Sequence, residues 1–283
     1  NFAIGVARIG GGVGCIGAVG SDQFGEFLLG VLEVNGVDVS RVKVKDARTS
    51  LAFVIRYPGG ERSFFFYRKP WAETADTMLS PDDIDPHYVA KAKILHYSGM
   101  ALSQSPCREA VLEAVRIARE AGVHVFLDPN IRPDVWADRD TLTRTYDQAM
   151  RNADSILFAT DEVSYLFNTT DYRRAMETVM ERYGPAYAIV KLGAKGCYIR
   201  TMGGEEILKP GFDVVPVDTT GAGDGWAAGF EEALIEGLSL DDCATIANAI
   251  GALVVTKMGA ITALPTREEL RSFLRSREVT IDF

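Results

Sequence analysis

Cysteine and histidine are scarce in this sequence. Its 283 residues include four cysteines and three histidines, and no two cysteines form a CxxC pair. Structural zinc sites need such pairs or histidine clusters, and disulfide scaffolds need a much higher density of cysteine. We therefore expect free thiols and no histidine-rich metal cluster, and the cysteine usage favours a cytoplasmic protein.

Long apolar runs and an excess of positive charge are also missing. No apolar run reaches the roughly 18 residues that a membrane-spanning helix requires. The chain has 39 acidic and 30 basic residues, a net charge of −9, which disfavours non-specific binding to nucleic acid or anionic membranes. The start also lacks the basic segment and cleavage site of a secretory signal. We expect neither nucleic acid nor membrane as a partner. The opening at Asn1, without a methionine, suggests that further residues precede it.

Segments with strand and helix patterns alternate along most of the chain. The stretch "GCIGAVG" at 14–20 predicts a short buried strand, and a helix follows over about 23–35, with Gly36 at its end. Further strands are predicted in "AKILHYS", "VHVFLDPN", "SILFAT", "AYAIVK", "GCYIR" and "FDVVPV", and further helices over about 106–121, 223–236 and 241–255. Such alternation predicts an α/β fold with a central, mostly parallel sheet and helices on both faces.

The alternation is interrupted near the N-terminus. Here "TSLAFVIRY" and "ERSFFFYR" predict two strands joined by the turn "PGG", with no helix between them. No low-complexity linker divides the chain. We therefore predict one domain over residues 1–283, with a small β-lid at about 41–70.

Two glycine motifs have structural explanations that involve no ligand. A GxGxxG pattern at 12–17 is followed by Asp38, but a dinucleotide fingerprint needs a strand before the glycines and a helix opening within them. Here a helical pattern precedes the glycines, which lie inside the predicted strand. The stretch "KLGAKG" at 191–196 comes nearest to a phosphate loop, yet its position between two predicted strands is more typical of a hairpin turn.

The stretch "VDTTGAGDGWAAGF" at 217–230 places Asp224 directly behind Gly-Ala-Gly and in front of a helical pattern. One interpretation is a glycine turn that caps a helix. The alternative is chemical, because backbone N–H groups at a helix N-terminus bind anions and glycine lets a phosphate approach closely. A carboxylate at that point accepts the proton of a hydroxyl group that attacks the phosphate. The stretch therefore contains the parts that phosphoryl transfer to an alcohol needs.

The segment "DTTGAGDGWAAGF" closely resembles the C-terminal signature of the ribokinase-like (pfkB) carbohydrate kinases. The opening "NFAIGVARIGGGVGCIGAVGSDQFG" resembles their N-terminal signature, and "YRKPWAETADTML", "DPNIRPDVW" and "IVKLGAKGC" resemble further segments in the same order. The resemblance spans nearly the whole chain. It implies an ATP-dependent kinase that uses Mg²⁺ and transfers the γ-phosphoryl group to a primary hydroxyl group of a sugar.

The resemblance also implies roles for individual residues. Asp224 is the expected catalytic base, next to an anion hole of Gly221, Ala222 and Gly223. The expected sugar contacts are Asn1, Arg68, Asn130, Arg132 and Asp224. The expected nucleotide contacts are Lys191, Gly193, Gly196, Gly221, Gly223 and Asn248. Simpler alternatives remain open: a solvated strand position for Arg68, an ordinary ion pair for Arg132, and a place on a helix surface for Asn248.

Cation binding departs from the family pattern. Many relatives carry an N-x-x-E motif associated with Mg²⁺, but Thr160 and Val163 occupy those places here, with Glu162 beside them. The expected cation ligands are Asp218, Thr220 and Glu162; Glu162 acts through water, or the metal rests mainly on the nucleotide. A K⁺ site is left open near Asp218 and the loop "VTKMGAITALP", where Ala263 replaces a hydroxyl residue of some relatives. Trp226 is also bulkier than the expected small residue or Phe.

Substrate and partners stay open within this resemblance. The lid segment "KPWAETAD" favours fructose over 2-keto-3-deoxygluconate, although either sugar fits other segments. Arg68 alone is left for a sugar's carboxylate if Arg132 binds the transferred phosphate. The apolar strands "LAFVI" and "SFFFY" suggest a homodimer through the lid. Alternatives from other classes are a catalytically silent binding protein and an NAD-dependent oxidoreductase.

Overall fold

The computed structural model describes residues 1–56, 62–69 and 72–283. The predicted turn at 58–60, and the lid residues 70 and 71, lie outside the described residues. In the described part the helices are α1 Phe2–Arg8, α2 Gln23–Val34, α3 Pro86–Val89, α4 Cys107–Glu120, α5 Arg139–Arg151, α6 Thr160–Phe167, α7 Tyr172–Tyr183, α8 Ala222–Ile235, α9 Leu240–Val255 and α10 Arg267–Ser276. The strands are β1 Gly14–Gly20, β2 Asp38–Lys45, β3 Leu51–Arg56, β4 Arg62–Tyr67, β5 Ile94–Ser98, β6 His124–Asp128, β7 Ser155–Ala159, β8 Tyr187–Lys191, β9 Cys197–Thr201 and β10 Glu206–Lys209.

The chain divides into two compact units. The first contains Asn1–Gly14, Leu32–Asp38 and Ile189–Phe283, and the second contains Cys15–Val31 and Val39–Ala188. The first unit therefore combines segments that are distant in the sequence. Among the described residues, no helix is both long enough and apolar enough to cross a membrane.

A parallel sheet forms the centre of the second unit. Strand β5 pairs with β6 in register Ile94↔His124, and β6 pairs with β7 in register Phe126↔Ser155. The middle residues of β6 and β7 are fully buried, as strands covered on both faces must be. Helix α4 buries one stripe that includes Ala110, Ala114 and Ala118. The predicted alternation of parallel strands and helices is confirmed here.

Two small sheets accompany that parallel sheet. Strands β3 and β4 pair antiparallel, with Phe53 opposite Phe65, which confirms the two predicted lid strands. Strands β1 and β2 form a second pair. The prediction of a buried strand at 14–20 is wrong about burial, since only Val19 and Gly20 in β1 are buried. The reason is that β1 is hydrogen-bonded to β2 in a two-stranded sheet, which covers less surface than a central one.

Helices α8 and α9 form the core of the first unit. Gly229 lets them approach closely, because a Cβ atom there would lie 2.5 Å from the Ile250 side chain. Helix α1 packs on α8 equally tightly, since a Cβ atom on Gly5 would lie 2.9 Å from that of Ala228. This packing fixes the start of α1 relative to the start of α8.

Short strands lead into this helical core. Strand β8 neighbours β9, and β9 pairs antiparallel with β10 in register Cys197↔Lys209. The prediction of a strand in "FDVVPV" is wrong, because residues 212–217 are irregular. Pro216 has no N–H group for a strand ladder. The segment is instead attached to α9, as the N–H groups of Val217 and Asp218 both donate to the carbonyl of Val255.

Candidate active site

The segment 221–224 forms the first turn of α8. Gly221 precedes the helix in a left-handed conformation with φ of +78°, which favours glycine. A Cβ atom at Gly221 would also lie only 3.1 Å from Ala260. Helix α8 starts at Ala222, so the N–H groups of its first turn and the positive end of its dipole meet here. The predicted glycine turn and the predicted anion hole are thus the same structure.

Asp224 is the acidic residue of that first turn, and Asn1 contacts it. The Asn1 Nδ2 atom donates a hydrogen bond to Asp224 Oδ2 at 2.7 Å. Asn1 is the residue before α1, and the close packing of α1 on α8 brings the two side chains together. Asn1 and Asp224 are the two predicted sugar contacts in the first unit, and they are therefore in direct contact. One carboxylate oxygen is held by an amide, and the other is available to a hydroxyl group.

Lys191 lies at the same helix end. Its ammonium nitrogen is 3.3 Å from the position that a Cβ atom on Gly223 would take. A larger residue at position 223 would displace this cation from the first turn of α8. The predicted hairpin turn in "KLGAKG" is confirmed, since a short 3₁₀ turn at Gly193–Lys195 joins β8 and β9. Gly193 and Gly196 both have positive φ angles.

Asp218 and Thr220 contact each other and the loop that follows α9. Asp218 Oδ1 accepts hydrogen bonds from the N–H and the hydroxyl group of Thr220, at 3.0 and 2.7 Å. Its Oδ2 accepts one from the N–H of Gly259 at 3.1 Å. The hydrogen bond from Gly259 brings the loop after α9 next to Asp218. Among the described residues, no three His, Cys, Asp or Glu side chains gather as a metal cluster.

Asn248 is buried, so the interpretation of Asn248 as a helix-surface residue is wrong. It is 5% exposed. Its Oδ1 accepts a hydrogen bond from Trp226 Nε1 at 2.8 Å, and its Nδ2 donates to the carbonyls of Lys209 and Pro210 at 3.2 and 3.1 Å. The tight packing of α9 on α8 explains the burial. Sequence reasoning missed Trp226 as its partner, and only the unexpected size of that residue signalled it.

Arg68, in the second unit, is buried and ion-paired. It is 3% exposed, so the interpretation of Arg68 as a solvated strand residue is wrong. Its Nε donates to Asp76 Oδ2 at 2.5 Å and its Nη1 to Ser103 Oγ at 2.7 Å. Burial by itself raises the pKa of Asp76, but the Arg68 charge and hydrogen bonds from Ser50 and Thr74 hold that pKa below its usual value. The Arg68 charge is therefore neutralised locally.

The "DPNIR" segment follows β6 and supplies two of the predicted sugar contacts. Asn130 has a positive φ of +41°, and its N–H donates to Asp128 Oδ1 at 3.1 Å. Its side-chain amide donates to Ser98 Oγ at 3.2 Å. Arg132 lies 5.4 Å from the centre of the Phe64 ring, on lid strand β4, and donates to the carbonyl of Ile131. The arginine thus contacts the lid through an aromatic ring.

Glu162 holds this segment in place. One oxygen accepts from the N–H of Ile131 and the other from the N–H of Ala159, each at 2.8 Å. The side chain is 6% exposed. It is the third residue of α6, so it reaches back to cap its own helix while it binds the neighbouring loop. Backbone N–H groups donate to both carboxylate oxygens of Glu162. A metal ion bound directly to Glu162 would therefore have to share these oxygens with the N–H groups.

The α/β fold and the first turn of α8 are typical of one class of enzyme, the phosphotransferases that act on a hydroxyl group. The chain belongs to the pfkB family of carbohydrate kinases, whose family model matches residues 1–267. It is a sugar kinase with the ribokinase-like fold, as the sequence predicts. The oxidoreductase alternative is therefore wrong. Its GxGxxG pattern enters strand β1 at Gly14, with no helix opening among the glycines.

Named relatives and solved structures agree with this membership. Probable fructokinase-3 of Arabidopsis thaliana is 37% identical over 98% of this chain and 82% of its own length. Fructokinase-1 of Zea mays is 36% identical over 95% of this chain and 85% of its own length. The crystal structure of fructokinase from Vibrio cholerae O395 with fructose, ADP and calcium is 33% identical, with a TM-score of 0.88, covering 96% of this chain and 89% of that one. Aminoimidazole riboside kinase from Salmonella enterica, with its riboside and an ATP analogue, is 34% identical, with a TM-score of 0.86, covering 97% and 90%.

Proposed function

We propose that this sugar kinase transfers the γ-phosphoryl group of ATP to a primary hydroxyl group of fructose, with Asp224 as the base. The observation that carries the proposal is the hydrogen bond of 2.7 Å from Asn1 to Asp224 at the start of α8. Relatives that bear the name fructokinase at 35–37% identity support the choice of sugar.

The reaction needs a base at the attacking oxygen. As that oxygen forms its bond to the γ-phosphorus, the bond from the γ-phosphorus to the bridging oxygen breaks and ADP leaves. Asp224 takes the proton of the hydroxyl group on the oxygen that Asn1 does not hold. Asn1 fixes the rotation of the carboxylate, so that this oxygen faces the substrate.

The charge on the transferred group needs positive partners. The N–H groups of the first turn, at Gly221, Ala222 and Gly223, supply partial charges that are already oriented. Lys191 adds a full charge beside Gly223. We assign Gly193 and Gly196 to the border of the nucleotide, because their turn directly follows Lys191 in the chain. Asn248 belongs to this border as well, but its buried amide acts through its neighbours.

Cations complete the proposal. Mg²⁺ supplied with ATP neutralises phosphate charge. The engaged oxygens of Glu162 and Asp218 suit a metal that keeps its waters and rests mainly on the nucleotide. Asp218, Thr220 and the loop after α9 offer oxygen atoms that suit K⁺. Equal rates in sodium-free K⁺ and tetramethylammonium buffers would contradict a K⁺ role.

The charge balance around Arg68 supports fructose over a sugar acid. A carboxylate substrate gains most from an arginine whose charge is uncompensated. Arg68 already pairs with Asp76 at 2.5 Å in a buried position. A neutral sugar needs no such free cation.

A coupled assay of ADP release tests the proposal. The wild type is offered ATP–Mg²⁺ with fructose, with 2-keto-3-deoxygluconate and with a panel of other sugars. We expect fructose to give the highest kcat/KM. Asp224→Asn keeps the shape of the carboxylate and removes the base, so kcat should fall by a factor of about 10²–10⁴ while ATP still binds. Near wild-type turnover in this variant would rule out Asp224 as the base.

One face of the lid strands is apolar and exposed, which supports a homodimer. Phe53, Ile55, Phe65 and Tyr67 alternate along β3 and β4 and are each about half exposed. Such a contiguous apolar face is costly in water, and a second copy of the same lid would cover it. Light scattering should give a dimer mass for the wild type and a monomer mass for Phe53→Ser. A monomeric wild type would contradict the dimer. We also place the kinase in the cytoplasm, since its four cysteines are free thiols.

A further inference from the structure

Trp226 carries a hydrogen-bond donor into a buried position, where the sequence predicts a small residue or Phe. It lies two residues after Asp224 on α8 and is 5% exposed. Its ring stacks on Phe230, with ring centres 5.1 Å apart and an angle of 11° between the planes. A phenyl ring would make this stacking contact without the donor. The donor itself binds Asn248 Oδ1 at 2.8 Å.

That hydrogen bond determines which way the Asn248 amide faces. With Oδ1 engaged by the indole, Nδ2 must face the opposite side, where it donates to the carbonyls of Lys209 and Pro210. The amide is buried, so each lost partner would leave a polar atom unsatisfied. Trp226 therefore acts through Asn248 on the segment 209–211, at the end of β10.

The segment 209–211 packs directly against the turn that borders the proposed nucleotide site. A Cβ atom on Gly196 would lie 2.0 Å from the carbonyl oxygen of Lys209 and 2.5 Å from the nitrogen of Gly211. A Cβ atom on Gly211 would lie 2.5 Å from the carbonyl oxygen of Ala194. Two backbone segments in such close contact cannot move independently. A shift of 209–211 must therefore shift the turn at 193–196.

We propose that Trp226 and Asn248 are positioning residues that set the affinity for the nucleotide. The indole orients the amide, the amide holds the segment 209–211, and that segment holds the turn at 193–196. The inference rests on the proposed placement of the nucleotide at this turn. It gives α8 two tasks, since the base Asp224 and the first member of this chain of contacts lie within one turn of the same helix.

Two matched variants test the pair. Trp226→Phe keeps the ring and removes only the donor. Asn248→Asp keeps an acceptor for Trp226 and replaces the donors that face the two carbonyls by an oxygen. We expect both variants to raise the KM for ATP and the Kd for ADP about fivefold or more, the factor that corresponds to about 1 kcal/mol. The KM for fructose and kcat should change less than about twofold. Amide hydrogen exchange should become faster at 193–196 and at the N–H groups of Lys209 and Gly211.

Phe230→Leu is the control, because it loosens the stacking on Trp226 and leaves the hydrogen bond in place. If it changes the KM for ATP as much as Trp226→Phe at an equal loss of Tm, the effect is general packing and the proposal fails. Unchanged ADP affinity or unchanged exchange in Trp226→Phe and Asn248→Asp would also overturn it. Binding of ADP and hydrogen exchange need no turnover. A wild type that phosphorylates no sugar would therefore refute the proposed function separately.

Discussion

Lys191 places a positive charge beside the first turn of α8, although it is not part of that helix. Its ammonium nitrogen lies 3.3 Å from the position that a Cβ atom on Gly223 would take. We expect Lys191→Met to lower kcat/KM for ATP by a factor of about 10², near the effect of removing one donor from an oxyanion hole. If the cation contacts the γ-phosphoryl group, the affinity for ATP should fall more than the affinity for ADP. Calorimetric titration of both nucleotides measures this difference.

Lys195 provides the matched control for Lys191. It lies in the same turn and is exposed. Lys195→Met removes the same charge from the chain and should leave kcat/KM for ATP within about twofold. Equal losses in the two variants would mean that the net charge of the turn matters rather than the position of Lys191.

His124 gives the second unit a dependence on pH. Burial lowers the pKa of His124 below its ordinary value of 6.5, and the nearby charge of Asp154 opposes this only in part. The folded protein therefore binds fewer protons at this residue than the unfolded chain. Stability from neutral His124 is present above about pH 6.5 and is lost as the pH falls below that value. The Tm of the wild type should therefore fall between pH 7.5 and pH 5.5.

His124→Gln separates this effect from other titrations. Glutamine carries no titrating group and can still bond to the Ser155 hydroxyl, which lies 2.8 Å from His124 Nε2. The variant should lose less Tm than the wild type across the same pH range. An equal loss in both proteins would assign the pH dependence to other groups.

Motifs predicted which residues belong to the candidate site, but they did not predict the hydrogen-bond partners of those residues. Glu162 was predicted as a cation ligand from its place near a motif, yet its oxygens accept two backbone N–H groups. Asp76 was not predicted at all as the partner of Arg68. Such contacts depend on how a lid segment and a loop fold around a side chain, and a short sequence pattern does not encode that.

Helices and buried strands were predicted well where one local signal dominated. Helix α8 begins at Ala222, one residue before the predicted start. The prediction is close because the glycine turn marks the boundary of the helix. The strand predicted in "FDVVPV" is irregular although its composition suits a strand. Strand β10 was not predicted, since four residues at Glu206–Lys209 are too few for a clear period. Tertiary contacts determine whether such short segments form strands.

The two glycines that flank α8 allow a paired test of its N-terminus. Gly221 and Gly237 have similar φ angles of +78° and +82°. A Cβ atom at Gly221 would crowd Ala260, whereas one at Gly237 would meet nothing within 4 Å. Alanine at either position should cost about 1–2 kcal/mol of unfolding free energy through the left-handed backbone alone. Only Gly221→Ala should also lose most of kcat, because it disturbs the proposed anion hole at the first turn of α8.

Urea unfolding and steady-state kinetics on both variants check this. Gly237→Ala should keep kcat within about twofold at a comparable loss of stability. A similar loss of kcat in both variants would show that activity follows stability. In that case the geometry of the first turn would not be the cause.

At the scale of the whole molecule, the alternation of strands and helices predicted the fold class correctly. Parallel strands buried on both faces leave continuous apolar runs, and such runs are visible in a single sequence. The division into two compact units could not be predicted, because the first unit joins segments from both ends of the chain. Contacts between distant segments leave no local signature.

The choice between a neutral sugar and a sugar acid follows from charge balance in the molecule. Arg68 is buried and compensated by Asp76. We expect the wild type to favour fructose over 2-keto-3-deoxygluconate in kcat/KM by more than about tenfold, which is about 1.4 kcal/mol of transition-state discrimination. Asp76→Asn leaves Arg68 with a net charge, so it should narrow this preference by improving the relative rate with the sugar acid.

Ser103→Ala is the control for that variant. It removes the hydrogen bond that Arg68 Nη1 donates at 2.7 Å, without changing any charge. It should weaken the turnover of both sugars by similar factors and leave their ratio within about twofold. Direct competition of the two sugars gives the ratio in each protein. A wild-type preference for the sugar acid above about tenfold would refute fructose as the substrate and would not affect the proposed role of Asp224. An unchanged ratio in Asp76→Asn would show instead that Arg68 does not sense the charge of the sugar.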